Sequence, residues 1–238
     1  RIDEIVNAPV TAARLRPWYG KPCKRICFHD EYLPAFNQPN VHLVDTNGRG
    51  VEQITESGVV VDGEEYPLDL LIFASGFEVT TDLDQRLGFD PKGRDGISLS
   101  ERWSDGAHSL HGVLSGEFPN MMMISLVQAG FGTNFLHFLA QSAHHVAWLI
   151  NECLEQGISE IEATPEAEEE WLGVLYTVVG GIARYSQTCT PGYYNSEGQR
   201  TAKAARNLVY AGSLLDYSEY LVQWRNAGDF AGTKISRR

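Results

Sequence analysis

Lys24 and Arg25 stand side by side in GKPCKRICFHDEYLPAFNQPNVHLV, residues 20–44 of a 238-residue chain whose formal net charge is -12. A guanidinium stays charged at any working pH and is costly to bury without an anion. Between apolar and aromatic neighbours it should face a carboxylate, a phosphate or an anionic intermediate. An exposed, purely structural pair reads equally well from this segment alone. Two glycine-bearing turns are the other places where chemistry is expected. FASGFE (73–78) ends an apolar run, and its Gly76 permits close approach of a ligand or a tight exit from a sheet. QAGFGT (128–133) precedes a helix, whose N-terminus can face a phosphate or an electron-rich ring.

Other chemistries lack their spacing. The chain contains no complete G-x-G-x-x-G and no G-x-S-x-G elbow. Cys23 and Cys27 form C-x3-C, without the second close pair of a zinc site. The seven histidines do not group by spacing, and adjacent His144 and His145 point about 100° apart on a helix. They read as structural, and no metal is expected. The acidic run EAEEEW (166–171) reads as the exposed first turns of a helix.

The elements that must position these groups follow from periodicity. NVHLVDT (40–46) alternates as a strand. VEQITESGVVVDGEEYPLDLLIFASGF (51–77) reads as a meander with a hairpin turn at Asp62-Gly63. Within it LDLLIFA (68–74) is continuously apolar, the pattern of a strand covered on both faces. NMMMISLV (120–127) reads as a second such strand, after a loop-rich stretch with short strands at 79–120. A long helix opens at Asn134, with apolar residues at helical spacing, and Gly157 ends it. Thr164-Pro165 caps an amphipathic helix running to about Gly180. YSEYLVQWRNAG (217–228) makes a last short helix. The expected class is α/β or α+β around a layered sheet.

Composition is that of an ordinary folded protein, 43% hydrophobic and 21% charged. The acidic balance argues against nucleic acid or an anionic membrane as partner. No apolar run reaches a membrane span and no signal peptide is evident, so the cytoplasm is the expected location.

In order and spacing these residues resemble the second half of type I Baeyer–Villiger monooxygenases, closest to the branch acting on steroids and large cyclic ketones. The family's KR pair, Y-x(3)-[FY]-N-x-x-[NH]-V-x-LVD segment and A-T-G-F-[DE] strand end are matched in turn. They read here as Lys24-Arg25, as Tyr32 with Phe36-Asn37 and Asn40-Val41, and as Ala74-Ser75-Gly76-Phe77-Glu78. SLHGVLSGEFPNMMMISLV (109–127) and CTPGYYNSEGQ (189–199) match the family's later segments. The resemblance implies an α/β flavoprotein portion with FAD/NAD(P)-binding folds. Residues 1–77 would end the NADP-binding domain, and 78–238 would form the C-terminal part of the FAD-binding domain. It implies FAD and NADPH as cofactors, a ketone and O2 as substrates, and oxygen insertion through a flavin peroxide to give an ester or lactone. Arg25 falls on the family's catalytic arginine and Lys24 on the lysine near the NADP ribose phosphate. Ala74, Ser75, Gly76, Phe77, Glu78 and Gln128 fall near the cofactors, and Phe135 and Phe138 become substrate-pocket walls.

The family's N-terminal Rossmann fingerprints are absent, Ser75 replaces the usual threonine, and the C-terminal loop lacks the tryptophan that many members carry. The chain therefore reads as about two-fifths of a longer enzyme, inactive by itself, whose missing N-terminal half is a required partner. An N- or S-oxidising flavin monooxygenase and a non-catalytic binding remnant are the competing readings.

Overall fold

The computed structural model describes residues 1–17, 19–20, 23–24, 26–76, 82–132, 134–180, 189, 192, 195, 198 and 201–237. The chain divides into two compact units, Arg1–Glu78 and Val79–Arg238.

In the first unit, α1 (Ile2–Ile5) and α2 (Pro9–Arg14) are short helices, the second begun by a proline at its first position. Val6 and Ala12 are the buried residues of this hairpin. Asn37, just past α3 (Tyr32–Ala35), accepts from the Asn7 N–H at 2.8 Å and donates to the Ile5 carbonyl at 2.6 Å. One amide thus joins the α1–α2 link to a segment thirty residues away. The meander follows as β1 (Gln53–Ile54), β2 (Gly58–Val61) and β3 (Glu64–Pro67), antiparallel in the order β1-β2-β3. Asp62 and Gly63 both have positive φ, 51° and 76°, the backbone that a two-residue hairpin requires. Gly58 is obligatory for a different reason, since a Cβ there would lie 2.0 Å from the Tyr66 carbonyl oxygen.

Two segments of this unit depart from expectation. Neither 40–46 nor 68–74 is a strand. Leu68 makes the last bond of the meander, to the Ser57 carbonyl at 2.9 Å. Beyond it Leu70, Ile72 and Phe73 have about three-quarters of their surface exposed. Strand identity comes from pairing on an edge, and no described segment pairs with this one.

The second unit holds the larger core. After α4 (Leu83–Leu87) and α5 (Leu99–Arg102), residues 107–132 form a tightly bonded loop region instead of the expected strand at 120–127. Met122 and Met123 make isolated bonds to the 113–114 stretch, and Ile124 is exposed. The methionines are only half-buried: Met121 and Met123 pack against the small cluster around Leu99, Trp103, Ala107 and Phe118, and Met122 packs against the main core. Helix α6 (Phe135–Glu155) is capped by Asn134, whose side chain accepts from the His137 N–H. β4 (Ile158–Ala163) pairs antiparallel with the last strand, β5 (Thr233–Arg237). α7 (Pro165–Val178) starts at the Thr164 cap that the sequence marks, and α8 (Ala202–Arg206) follows later. α9 (Leu214–Ala227) starts earlier than the apolar pattern suggests, because Ser213 and Asp216 form a capping box, and Gly228 ends it with a left-handed φ of 67°. Leu149, Trp171, Leu175, Tyr217 and Leu221 bring α6, α7 and α9 into one core.

Glu168, His111 and His145 are among the polar groups buried in this unit. Glu168, in the run expected to be exposed, is 1% exposed because helical spacing sets it on the same face as Trp171, Leu172 and Leu175. Its carboxylate meets Arg102 at 2.5 Å and accepts from the Gly116 N–H at 2.7 Å. Burial nevertheless pushes its pKa up. His111 and His145 are both buried, with Nδ1 of His111 3.4 Å from Nε2 of His145. Arg225 donates to Nδ1 of His145 at 3.4 Å. A guanidinium can only donate, so neutral His145 carries its proton on Nε2 and gives that bond to His111. Burial, then the Arg225 charge, lowers His145 to about 3. Burial, reinforced by His145, lowers His111 well below its ordinary value.

A histidine held neutral in the fold takes up its proton more readily when unfolded. Stability therefore falls as pH drops below the ordinary value near 6.5 and continues to fall towards about 3. Across that window each such histidine contributes a slope of about 1.4 kcal/mol per pH unit. Urea denaturation between about pH 7 and about pH 4 should show this loss, and His145→Gln should flatten it. An unchanged slope in the variant would exclude His145 as its source.

Candidate functional site

The turn leading into α6 is built by pairing with chain eighty residues later. The Gln128 N–H donates to the Leu208 carbonyl at 2.7 Å, the Tyr210 N–H to Ala129 at 2.8 Å, and the Phe131 N–H to Tyr210 at 3.2 Å. Gly130 and Tyr210 form a parallel bridge. The turn thus has a short ladder of its own, contributed by the stretch after α8.

Its glycines serve packing. A Cβ on Gly130 would lie 2.0 Å from Cδ1 of Phe138 and 2.6 Å from the Tyr217 ring, and one on Gly132 would lie 2.8 Å from Phe138. Gly112, at φ 71°, similarly lets its loop touch Ala129. Phe138 is buried beneath the turn against Tyr217, with ring centroids 5.9 Å apart. The expected pocket wall is therefore a core residue in this structure, one helical turn below the half-buried Phe135 and the exposed Leu136. Gln128 is also wholly buried, and its side chain bonds inward to Ser109, Ala107 and Arg206. What this turn offers to a ligand is the positive end of a 21-residue helix, not the Gln128 amide.

In the first unit, Lys24 is half-buried and Ala74, Ser75 and Gly76 are exposed. Gly76 has φ 97°, and nothing lies within 4 Å of where its Cβ would stand. The glycine there sets the backbone direction and leaves an open face, a surface that a phosphate or a planar ring can approach. Arg25, Phe77 and Glu78 lie outside the described residues. Among the described residues no group of three or more His, Cys, Asp or Glu could hold a metal ion. No described helix is long and apolar enough to cross a membrane.

The sequence reading missed Ser109 and the 206–210 stretch, which hold the turn from behind. Neither carries a local signal, since a parallel pairing over eighty residues leaves no periodicity in either strand.

Gly130→Ala should destabilise the protein by about 1–3 kcal/mol through overpacking against Phe138. Phe138→Leu in the same chain should recover part of that loss, giving a favourable coupling in a double-mutant cycle read by urea denaturation. Additive losses would mean that the glycine is not there for the ring.

Similarity to known proteins is continuous along the chain. No family model matches it. The FAD-binding monooxygenase hmp7 of Hypomyces subiculosus is 42% identical over 232 residues, covering 98% of this chain and 38% of its own length. Baeyer-Villiger monooxygenase ATR8 of Stachybotrys chlorohalonatus is 42% identical over 238 residues, covering 99% of this chain and 38% of its own. Among solved structures, the polycyclic ketone monooxygenase from the thermophilic fungus Thermothelomyces thermophila superposes with a TM-score of 0.91 at 39% identity, over 100% of this chain and 39% of that one. Cyclohexanone monooxygenase from Rhodococcus sp. Phi1 bound to NADP+ gives 0.83 at 28% identity, over 100% of this chain and 43% of that one. The chain spans about two-fifths of the length of the curated relatives it matches. In sequence and in fold, over its whole length, the chain is thus similar to the C-terminal portion of Baeyer–Villiger monooxygenases.

Proposed function

We propose that these residues form the C-terminal portion of an FAD- and NADPH-dependent monooxygenase that inserts oxygen into a ketone, most simply a cyclic one, to give an ester or lactone. The observation that carries this reading is colinear similarity over the whole chain, with a TM-score of 0.91 to a polycyclic ketone monooxygenase. When bound, reduced flavin supplies the activation of O2.

The roles assigned to this chain's own residues are electrostatic and positional. Arg25 carries a permanent charge suited to stabilising an oxyanion that forms beside it. Lys24 supplies a compact ammonium for a phosphate of the nicotinamide cofactor. Ser75 and Gly76 present open backbone to a dinucleotide, and the start of α6 directs its positive end to an electron-rich group. Residues 1–77 would then close the NADP-binding domain and 78–238 belong to the FAD-binding domain. The apolar run at 70–73 supports a further partner, the portion corresponding to the other three-fifths of the relatives, because so much exposed apolar surface calls for a cover.

The test uses the full polypeptide that carries these residues. It should purify with FAD and, given NADPH and O2, convert a bicyclic ketone to a product one oxygen heavier. Arg25→Ala should retain FAD yet lose product formation by about 10²–10³-fold. Normal turnover in that variant would remove Arg25 from catalysis. Oxidation of a thioether with no reaction on ketones would reassign the chemistry to sulfur.

A further inference from the structure

We propose that Gln128 is a positioning residue that couples the 206–210 stretch to the turn opening α6, and thereby sets the face which, on the functional reading above, meets the flavin. Its five bonds use both chain and side chain. Oε1 accepts from the Ser109 hydroxyl at 2.6 Å, and Nε2 donates to the carbonyls of Ala107 at 2.8 Å and Arg206 at 3.1 Å. The main-chain N–H donates to Leu208, and the main-chain carbonyl accepts from the Trp171 indole at 2.9 Å. Only an NH2 group can face two carbonyls at once, so the amide has a single orientation. No donor remains for a ligand.

The location is an expensive one for a glutamine. Gln128 is wholly buried and has φ 55°, in the left-handed region that disfavours residues with a Cβ. A glycine would relieve the backbone and an aliphatic side chain would avoid burying an amide. Neither would join three separate stretches of chain. The glutamine ties 107–109 and 206–208 to one point, and Asn207 reinforces the joint by accepting from the Ala107 N–H at 2.8 Å. The ladder from Gln128 to Phe131 carries any displacement of 206–210 directly into Gly130 and Gly132. Phe138 fits beneath those glycines with no room to spare, so the first turn of α6 must follow.

Hydrogen–deuterium exchange, flavin titration and thermal melting of the full polypeptide test this, using Ser109→Ala as the mild variant and Gln128→Met as the severe one. Ser109→Ala should raise exchange over 126–132 and 206–211 together, shift the absorption envelope of bound flavin and weaken FAD binding roughly fivefold. Gln128→Glu adds a pH signature. Its carboxylate would face two carbonyls, whereas the protonated form restores one donor. FAD affinity should therefore recover in that variant as pH falls from about 8 to about 6, with no such recovery in the parent. A lower melting temperature with flavin spectrum and affinity unchanged would make Gln128 a merely structural residue and overturn the proposal. So would exchange that rises in one stretch without the other. A parent protein that takes up no FAD would sink the functional reading, while the paired exchange would still decide the coupling.

Discussion

The second unit is organised around one buried indole. Trp171 is 1% exposed on α7 and donates from Nε1 to the Gln128 carbonyl. Its ring stacks on Tyr210 with centroids 5.9 Å apart and meets His111 edge-on at 5.1 Å and Tyr220 at 5.1 Å. One side chain therefore touches the turn before α6, the stretch after α8, the 107–116 loop and α9. Tryptophan suits the place because it brings large apolar area together with a single donor, and that donor has a buried carbonyl to satisfy. Without the bond the Gln128 carbonyl would be buried and unpaired, at a cost of about 1–3 kcal/mol.

The polar groups inside this core obey the same constraint. Glu168 keeps a raised pKa despite its ion pair with Arg102, since burial outweighs the neighbouring cation. Yet its carboxylate is where the Gly116 N–H and Arg102 converge, and taking away either partner would strand a buried charge. The His111–His145 pair is settled by the opposite route, in which both rings stay neutral and the permanent donor Arg225 dictates which nitrogen carries each proton. Buried polar residues here fix relative placement of elements more than they add stability.

What the sequence made legible, and what it did not, divides along the range of the responsible interaction. The Asp62-Gly63 hairpin, the Thr164-Pro165 helix start and the α6 boundaries at Asn134 and Gly157 are local, because capping and positive φ leave their mark within four residues. The start of α9 was equally local, written in Ser213 and Asp216, but an apolar-period reading passes over it. The apolar runs at 68–74 and 120–127 show why composition alone misleads. Continuous apolarity states that a segment prefers to be covered, not that a strand covers it. The first run lies exposed among the described residues, and the second packs as irregular chain. In the candidate site, the space beside Gly130 and Gly132 is filled by Phe138, a contact that is invisible until the helix is turned over the turn.

Gly76 and Gly130 show what such a glycine can mean. They stand in the two glycine-bearing turns that the sequence marks, Gly76 at the end of an apolar run and Gly130 ahead of a helix. At Gly130 the space where a Cβ would go is occupied by two rings, so the residue is fixed by the interior and says nothing about a ligand. At Gly76 that space is empty and the positive φ alone demands glycine, so the exposed backbone is left available. The two readings of a glycine, close approach and backbone freedom, separate only when the neighbouring volume is known. By that criterion Gly76 is required by its backbone conformation, and Gly130 by the rings packed where its side chain would stand.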